Sequence, residues 1–60
     1  MEGHVKIYFT NNERKYINNI HYINYSYDLN AAEICYTDLT DCLIKTLRVD
    51  LNDVERIVVK

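Results

Sequence analysis

Between His4 and Thr10 apolar and polar residues alternate without a break, with Val5, Ile7 and Phe9 on one side and Lys6, Tyr8 and Thr10 on the other. A period of two marks a strand with one face in a core and one in water, whereas on a helix the same apolar residues would scatter round the axis. A lone strand or hairpin is not stable in water, so the rest of the chain must supply neighbours. With 60 residues in all, the chain is read as one small domain spanning residues 1–60. At this length folding buries only about 60% of the unfolded surface, and stability is marginal unless a metal, a disulfide or a second subunit contributes.

The neighbours are visible further along. Asn11-Asn12-Glu13 reads as a turn, because Asn tolerates left-handed backbone angles. Lys15-Tyr16-Ile17 is a short second strand that Asn18-Asn19 breaks, and Ile20 to Tyr27 resumes as a third, with Ile20 and Tyr22 on one side and Ile23, Tyr25 and Tyr27 on the other. After a turn at Asp28-Leu29-Asn30, Ala32, Ile34 and Tyr36 alternate with Glu33, Cys35 and Thr37 in a fourth strand. Asp38 to Arg48 admits two drawings. As a helix it places Leu39, Leu43 and Leu47 on one stripe, with acids first and bases last, giving an α+β fold with a helix at 38–48. As a hairpin with a two-residue turn at Asp38-Leu39, it sets Thr37 opposite Thr40, Tyr36 opposite Asp41, Cys35 opposite Cys42 and Ile34 opposite Leu43, with Leu43, Leu47 and Val49 sharing a face. Both stay open, and the β-branched Ile44, Thr46 and Val49 favour the hairpin. Leu51 and Val54 flank Asn52-Asp53 at a spacing suited to one 3₁₀ turn, and Glu55 to Lys60 is the last strand. The expected fold is all-β: a small, strongly bent antiparallel sheet or an SH3-like partial barrel with a 3₁₀ turn before its last strand. One glycine and no proline weigh against a fully closed barrel, whose tight corners usually need glycine.

Several function classes are excluded at this level. No apolar run approaches the roughly 18 residues of a membrane helix. Met1-Glu2-Gly3-His4 offers neither a basic leader nor an apolar segment, so a cytoplasmic location in a host cell is expected, and there Cys35 and Cys42 would be thiols. The hairpin register makes a bridge between them geometrically possible, while that compartment disfavours it. Zinc would have to draw on Cys35, Cys42, His4 and His21, without the close cysteine pair that structural sites use. Nucleophilic catalysis would have to set His21 against Cys35, or recruit the lone Ser26, in a closed pocket for which so small a sheet has little volume. Phosphate-cradling loops need several glycines, and Gly3 is the only one. The chain is therefore read as no enzyme, with no catalytic residue, metal or cofactor.

Seven Lys and Arg against nine Asp and Glu, a net charge of −2, give no overall attraction for nucleic acid. Local patches remain: Arg14-Lys15 with Tyr16 beside them, and Lys45 with Arg48. Asp28, Asp38, Asp41, Asp50 and Asp53 lie in or beside expected turns, where Asp is common for conformational reasons, so they do not read as a mimic of nucleic acid. The six tyrosines are more informative. Each phenol oxygen must reach water or a partner, so one small core cannot hold them all. Either their hydroxyls reach outward from the core, or they form an aromatic contact surface. On the second reading the candidate binding residues are Tyr22, Tyr25, Tyr27, His21, Arg14, Lys15 and Arg48. On the face opposite the core, Tyr8, Ile44 and Val58 would stand in water, although covering one such side chain is worth roughly 1.5–3 kcal/mol. They are the expected interface of a two-fold dimer.

Asn, Ile, Tyr, Lys and Phe, whose codons are AT-rich, supply 25 of the 60 residues, which points to an AT-rich genome. Through Val5-Lys6-Ile7-Tyr8-Phe9-Thr10-Asn11-Asn12 and Leu47-Arg48-Val49-Asp50-Leu51-Asn52-Asp53-Val54-Glu55-Arg56-Ile57, the chain resembles the short single-domain β proteins of phage and prophage accessory regions in AT-rich Gram-positive bacteria. The resemblance implies stoichiometric binding, to host proteins, nucleic acid or signalling nucleotides, and in some cases the blunting of bacterial defence systems. It assigns no residue a role. The expected function is thus binding and inhibition of a host defence protein by a homo-oligomer. The alternative is a nucleotide-sequestering or nucleic-acid-binding module whose tyrosines stack on bases while Arg14, Lys15 or Arg48 meets phosphate.

Overall fold

A computed structural model describes residues 3–60; Met1 and Glu2, part of the segment read above for a leader, lie outside the described residues. Five antiparallel strands, β1 (Gly3–Phe9), β2 (Arg14–Ser26), β3 (Ala31–Asp38), β4 (Leu43–Asp50) and β5 (Val54–Val59), form one sheet in the order β4-β3-β2-β1-β5. A 3₁₀ turn at Leu51–Asp53 precedes β5, where the spacing of Leu51 and Val54 placed it. Its entry is fixed by Asp50, whose Oδ1 accepts the Asn52 N–H at 2.9 Å. The fold is all-β, and no helix of the described residues is long and apolar enough to cross a membrane.

Laid flat, the two edge strands would stand about 19 Å apart, at some 4.8 Å per strand. Yet Val5, Ile7, Ile17, Ala32, Ile34 and Val49 form one buried cluster, against which Leu47 of the β4 edge and Ile57 of the β5 edge both pack. The sheet is therefore curled, with its concave face as the core. It remains open, because β4 and β5 are both edges.

The curl comes from β2. Asn18-Asn19 was expected to break this segment, but β2 runs unbroken for 13 residues. The asparagines bend it instead. Asn19, at φ 57°, is skipped in the pairing with β1, where Ile20 faces Gly3 and Asn18 faces His4. On the opposite edge His21 is skipped, Ile20 facing Tyr36 and Tyr22 facing Cys35. Two extra residues so close together bend and twist the strand, so its first half pairs with β1 and its second with β3. They also correct the expected sides. Ile20 joins Ile23 and Tyr25 on the inner face and Tyr22 turns outward, because an inserted residue moves everything after it by one.

Residues 38–48 form a hairpin, not a helix, but with a longer loop than expected. Asp38 faces Leu43, Cys35 faces Thr46 and Ile34 faces Leu47. The register moves by an even number of residues, so Leu43, Leu47 and Val49 keep their shared face while Cys42 leaves Cys35. Cys35 is buried and Cys42 exposed, both as free thiols. The acids that suggested a helix start close this loop instead. Asp38 Oδ1 accepts the Thr40 N–H at 3.0 Å and the Thr40 hydroxyl at 2.6 Å, Asp41 Oδ1 accepts the Leu43 N–H at 3.1 Å, and the Asp38 carbonyl accepts the Cys42 N–H at 2.7 Å.

Glycine does not supply the corners. Asn12, Asn30 and Cys42 adopt φ values of 71°, 50° and 60°, a region Asn tolerates because its amide bonds locally. The single glycine serves a close approach: a Cβ on Gly3 would lie 3.0 Å from the Lys60 carbonyl oxygen.

Candidate functional site

The pairing of β1 with both β2 and β5 lays out rows of side chains on the convex face. Lys6 stands between Tyr16 and Val58, and Tyr8 between Arg14 and Arg56. His4 faces Asn18 and exchanges backbone hydrogen bonds of 3.0–3.1 Å with Lys60. Three of the chain's seven Lys and Arg residues, Lys6, Arg14 and Arg56, thereby meet two tyrosines on one face, and Lys60 joins that face beside His4.

The rings hold the cations. The Arg56 guanidinium lies 4.2 Å from the Tyr8 ring centre, with Arg14 and the Lys6 ammonium each at 5.5 Å. Lys6 is also 4.8 Å from the Tyr16 ring centre. Such contacts are electrostatic attraction to the π face and leave the charge intact. Hydrogen bonding to the Tyr16 hydroxyl, then to that of Tyr8, holds Lys6 above its ordinary pKa. Lys6, followed by Arg56 and Arg14, holds the Tyr8 phenol below its own. A depression of about 220 Å³ lies between His4, Lys6, Tyr8, Tyr16, Val58 and Lys60. Among the described residues every ion pair within 4.0 Å belongs to Lys45, so the four cations of this face have no described carboxylate partner.

The residues singled out from the sequence do not all gather here. Arg14 belongs to the cluster, and Tyr16, noted beside it, lies at the depression. Lys15 faces Ile7 and falls on the inner side. Arg48 faces Glu33 on the far edge strand. His21 sits in the bulge, its Nε2 2.5 Å from the Thr37 hydroxyl. Tyr22 turns outward beside Cys35, whose thiol, with Glu33 a lesser influence, raises its phenol pKa. Tyr25 shares the inner register with Ala32, and Tyr27 is 84% exposed in the following turn. These three tyrosines are thus spread over two faces and a loop. Of the expected dimer residues, Tyr8 and Val58 lie in the cationic cluster and Ile44 on the opposite edge strand, strongly exposed. Among the described residues no three His, Cys, Asp or Glu side chains converge on a possible metal position.

Sequence reasoning missed Lys6, Arg56 and Lys60 as site residues. Alternation does place Lys6 and Tyr8 on the outer face, but Arg56 and Lys60 reach them only through the pairing of the first strand with the last, which no local pattern reveals. No family model, curated protein or solved structure matches the chain.

Proposed function

We propose that this is a non-enzymatic accessory protein, of the kind carried by phages and mobile elements, that acts by stoichiometric binding through the convex face of β2, β1 and β5. The supporting observation is the set of Lys6, Arg14, Arg56 and Lys60 around Tyr8 and Tyr16, without a described carboxylate partner. Cations held by rings remain available to a partner's anions. At about 220 Å³ the depression is smaller than the roughly 300–1,000 Å³ of pockets that enclose a drug-sized molecule. An anionic partner of nucleotide or nucleic-acid type fits this chemistry best. The net charge of −2 is no obstacle, since at physiological salt exposed charges act over about 8 Å. The test compares Lys6→Glu/Arg56→Glu with a control of equal cation loss elsewhere, Lys15→Glu/Arg48→Glu, on immobilised heparin. The first should lose salt-dependent retention and the second keep it. Equal loss in both would sink this assignment of the face.

A second reading, inhibition of a host defence protein, is supported by a different observation. Leu39, Leu43 and Ile44 are each more than half exposed at the tip of the β3–β4 hairpin, and exposed apolar groups clustered at an edge suit protein contact. Here Leu39→Asp/Ile44→Asp should abolish retention of a lysate protein that the convex-face variant still captures. Loss in the convex-face variant alone would refute it.

A further inference from the structure

The two tyrosines of the convex face are not equivalent. Tyr8 is attended by three cations, Arg56 at 4.2 Å and Lys6 and Arg14 at 5.5 Å, and is only half exposed. Tyr16 is approached by Lys6 alone, at 4.8 Å, and is 58% exposed. Tyr8 therefore serves as the post on which cations are held, while Tyr16 offers a ring with area to spare. Beside it the depression runs past Lys6 to Val58 and Lys60. An aromatic platform flanked by a row of ammonium groups is the arrangement that takes an unpaired base on the ring and its phosphates on the cations.

Resting on the proposed reading of this face, we infer that its ligand is single-stranded nucleic acid, with one base stacked on Tyr16 and adjacent phosphates on Lys6 and Lys60. A duplex keeps its bases stacked inside and can offer this face only phosphates, so it gains nothing from Tyr16. Stacking tolerates any base, because each has a π face, and sequence preference is accordingly weak.

The test measures fluorescence anisotropy of the full chain with three labelled probes at low salt: a 15-nucleotide oligothymidylate, a mixed-sequence duplex of equal length, and heparin. Tyr16→Leu keeps a strand-compatible apolar side chain but removes the ring, and Tyr16→Trp enlarges it. Circular dichroism and thermal melting confirm that both variants are folded. Tyr16→Leu should weaken oligothymidylate binding roughly 5- to 100-fold, the range expected for one base–aromatic stack, with duplex and heparin unchanged. Tyr16→Trp should retain or tighten it. If Tyr16→Leu weakens all three probes alike, or if wild type binds heparin without preferring the single strand, the stacking inference fails while the anionic-partner reading stands. If wild type binds none of the three, both fail.

Discussion

Lys6 and Lys45 each sit on a strand between two side chains that hold them, and the contrast between their settings divides the molecule. Lys45 Nζ lies 2.6 Å from Asp38 and 2.9 Å from Asp41, so its charge is consumed in closing the β3–β4 loop. Lys45 holds the Asp38 carboxyl well below the usual carboxylate range, Thr40 adding to the effect, and the two acids hold Lys45 well above its ordinary value. Lys6 lies between Tyr8 and Tyr16, which stabilise its charge without cancelling it. The lesson is that a cation's partner, more than its exposure, decides whether its charge is neutralised within the fold or left to the solvent. One end of the sheet is nearly self-neutralised and the other presents positive charge to solvent.

The largest expected effect tests whether the two ends are one cooperative unit. Ile34 is fully buried and faces both Ile23 and Leu47. Ile34→Ala should cost about 2–5 kcal/mol, most of the roughly 3–9 kcal/mol that a chain of this size has. Urea unfolding followed by circular dichroism should show an unfolded or barely folded protein, with binding at the convex face lost as well. Binding that survives with β3 and β4 melted would mean that the ends are independent. Next, reversing the charges at Lys6, Arg14 and Arg56 should flatten the salt dependence of polyanion binding by about 2 in log–log slope, at some 0.7 per phosphate contact for single strands. Lys45→Met, removing one charge from the clasped site, should leave that slope unchanged.

A smaller effect concerns the bend that joins the ends. Asn19→Ala places a side chain with no local hydrogen bond in a left-handed conformation and should cost about 1–2 kcal/mol, whereas Asn19→Gly should be close to neutral. Equal melting points for the two variants would show that the bend does not depend on this conformation. The smallest effect is pH dependence. Asp38 and Asp41 have lowered pKa values in the fold, so their contribution is complete above the unfolded carboxyl value of about 3.9 and is lost as pH falls below it. Lys6 is raised, so its contribution persists through neutral pH and is lost only in strong alkali. Melting curves of wild type and Lys45→Met should therefore differ most at pH 7 and draw steadily closer as pH falls below about 3.9. A constant difference would show that Lys45 acts by packing alone.

The readable parts of the fold were those fixed by neighbours in sequence. The alternation of Val5, Ile7 and Phe9 and the Leu51–Val54 spacing each follow from local geometry, and both led to the right element. Asn18-Asn19 misled because the same left-handed tolerance that ends a strand also makes a bulge within one, and only the strands on either side decide which. The 38–48 hairpin was placed on the right face with the wrong register, because Asp38, Thr40 and Asp41 stabilise a four-residue loop through side-chain bonds that strand propensity does not contain. The scarcity of glycine pointed away from a closed barrel, and the sheet is open; its left-handed positions are taken instead by Asn12, Asn19, Asn30 and Cys42. The cationic face was half legible, Lys6, Tyr8, Arg14 and Tyr16 being neighbours across one hairpin, while Arg56 and Lys60 arrive from the other end of the chain.

That arrival has a consequence for when the face exists. The three hairpin pairings join segments adjacent in sequence, whereas β5 pairs only with β1, setting Val59 opposite Val5. Contacts between distant residues carry the greatest loop-closure cost and form late. Lys6, Arg14 and the two rings therefore assemble with the first hairpin, and Arg56 and Lys60 complete them when the last strand docks. Detachment of that one edge strand removes half of the cations while the β2–β3–β4 ladder stays intact. The convex cationic cluster is thus the part of the surface that depends most on the pairing of the two ends of the chain.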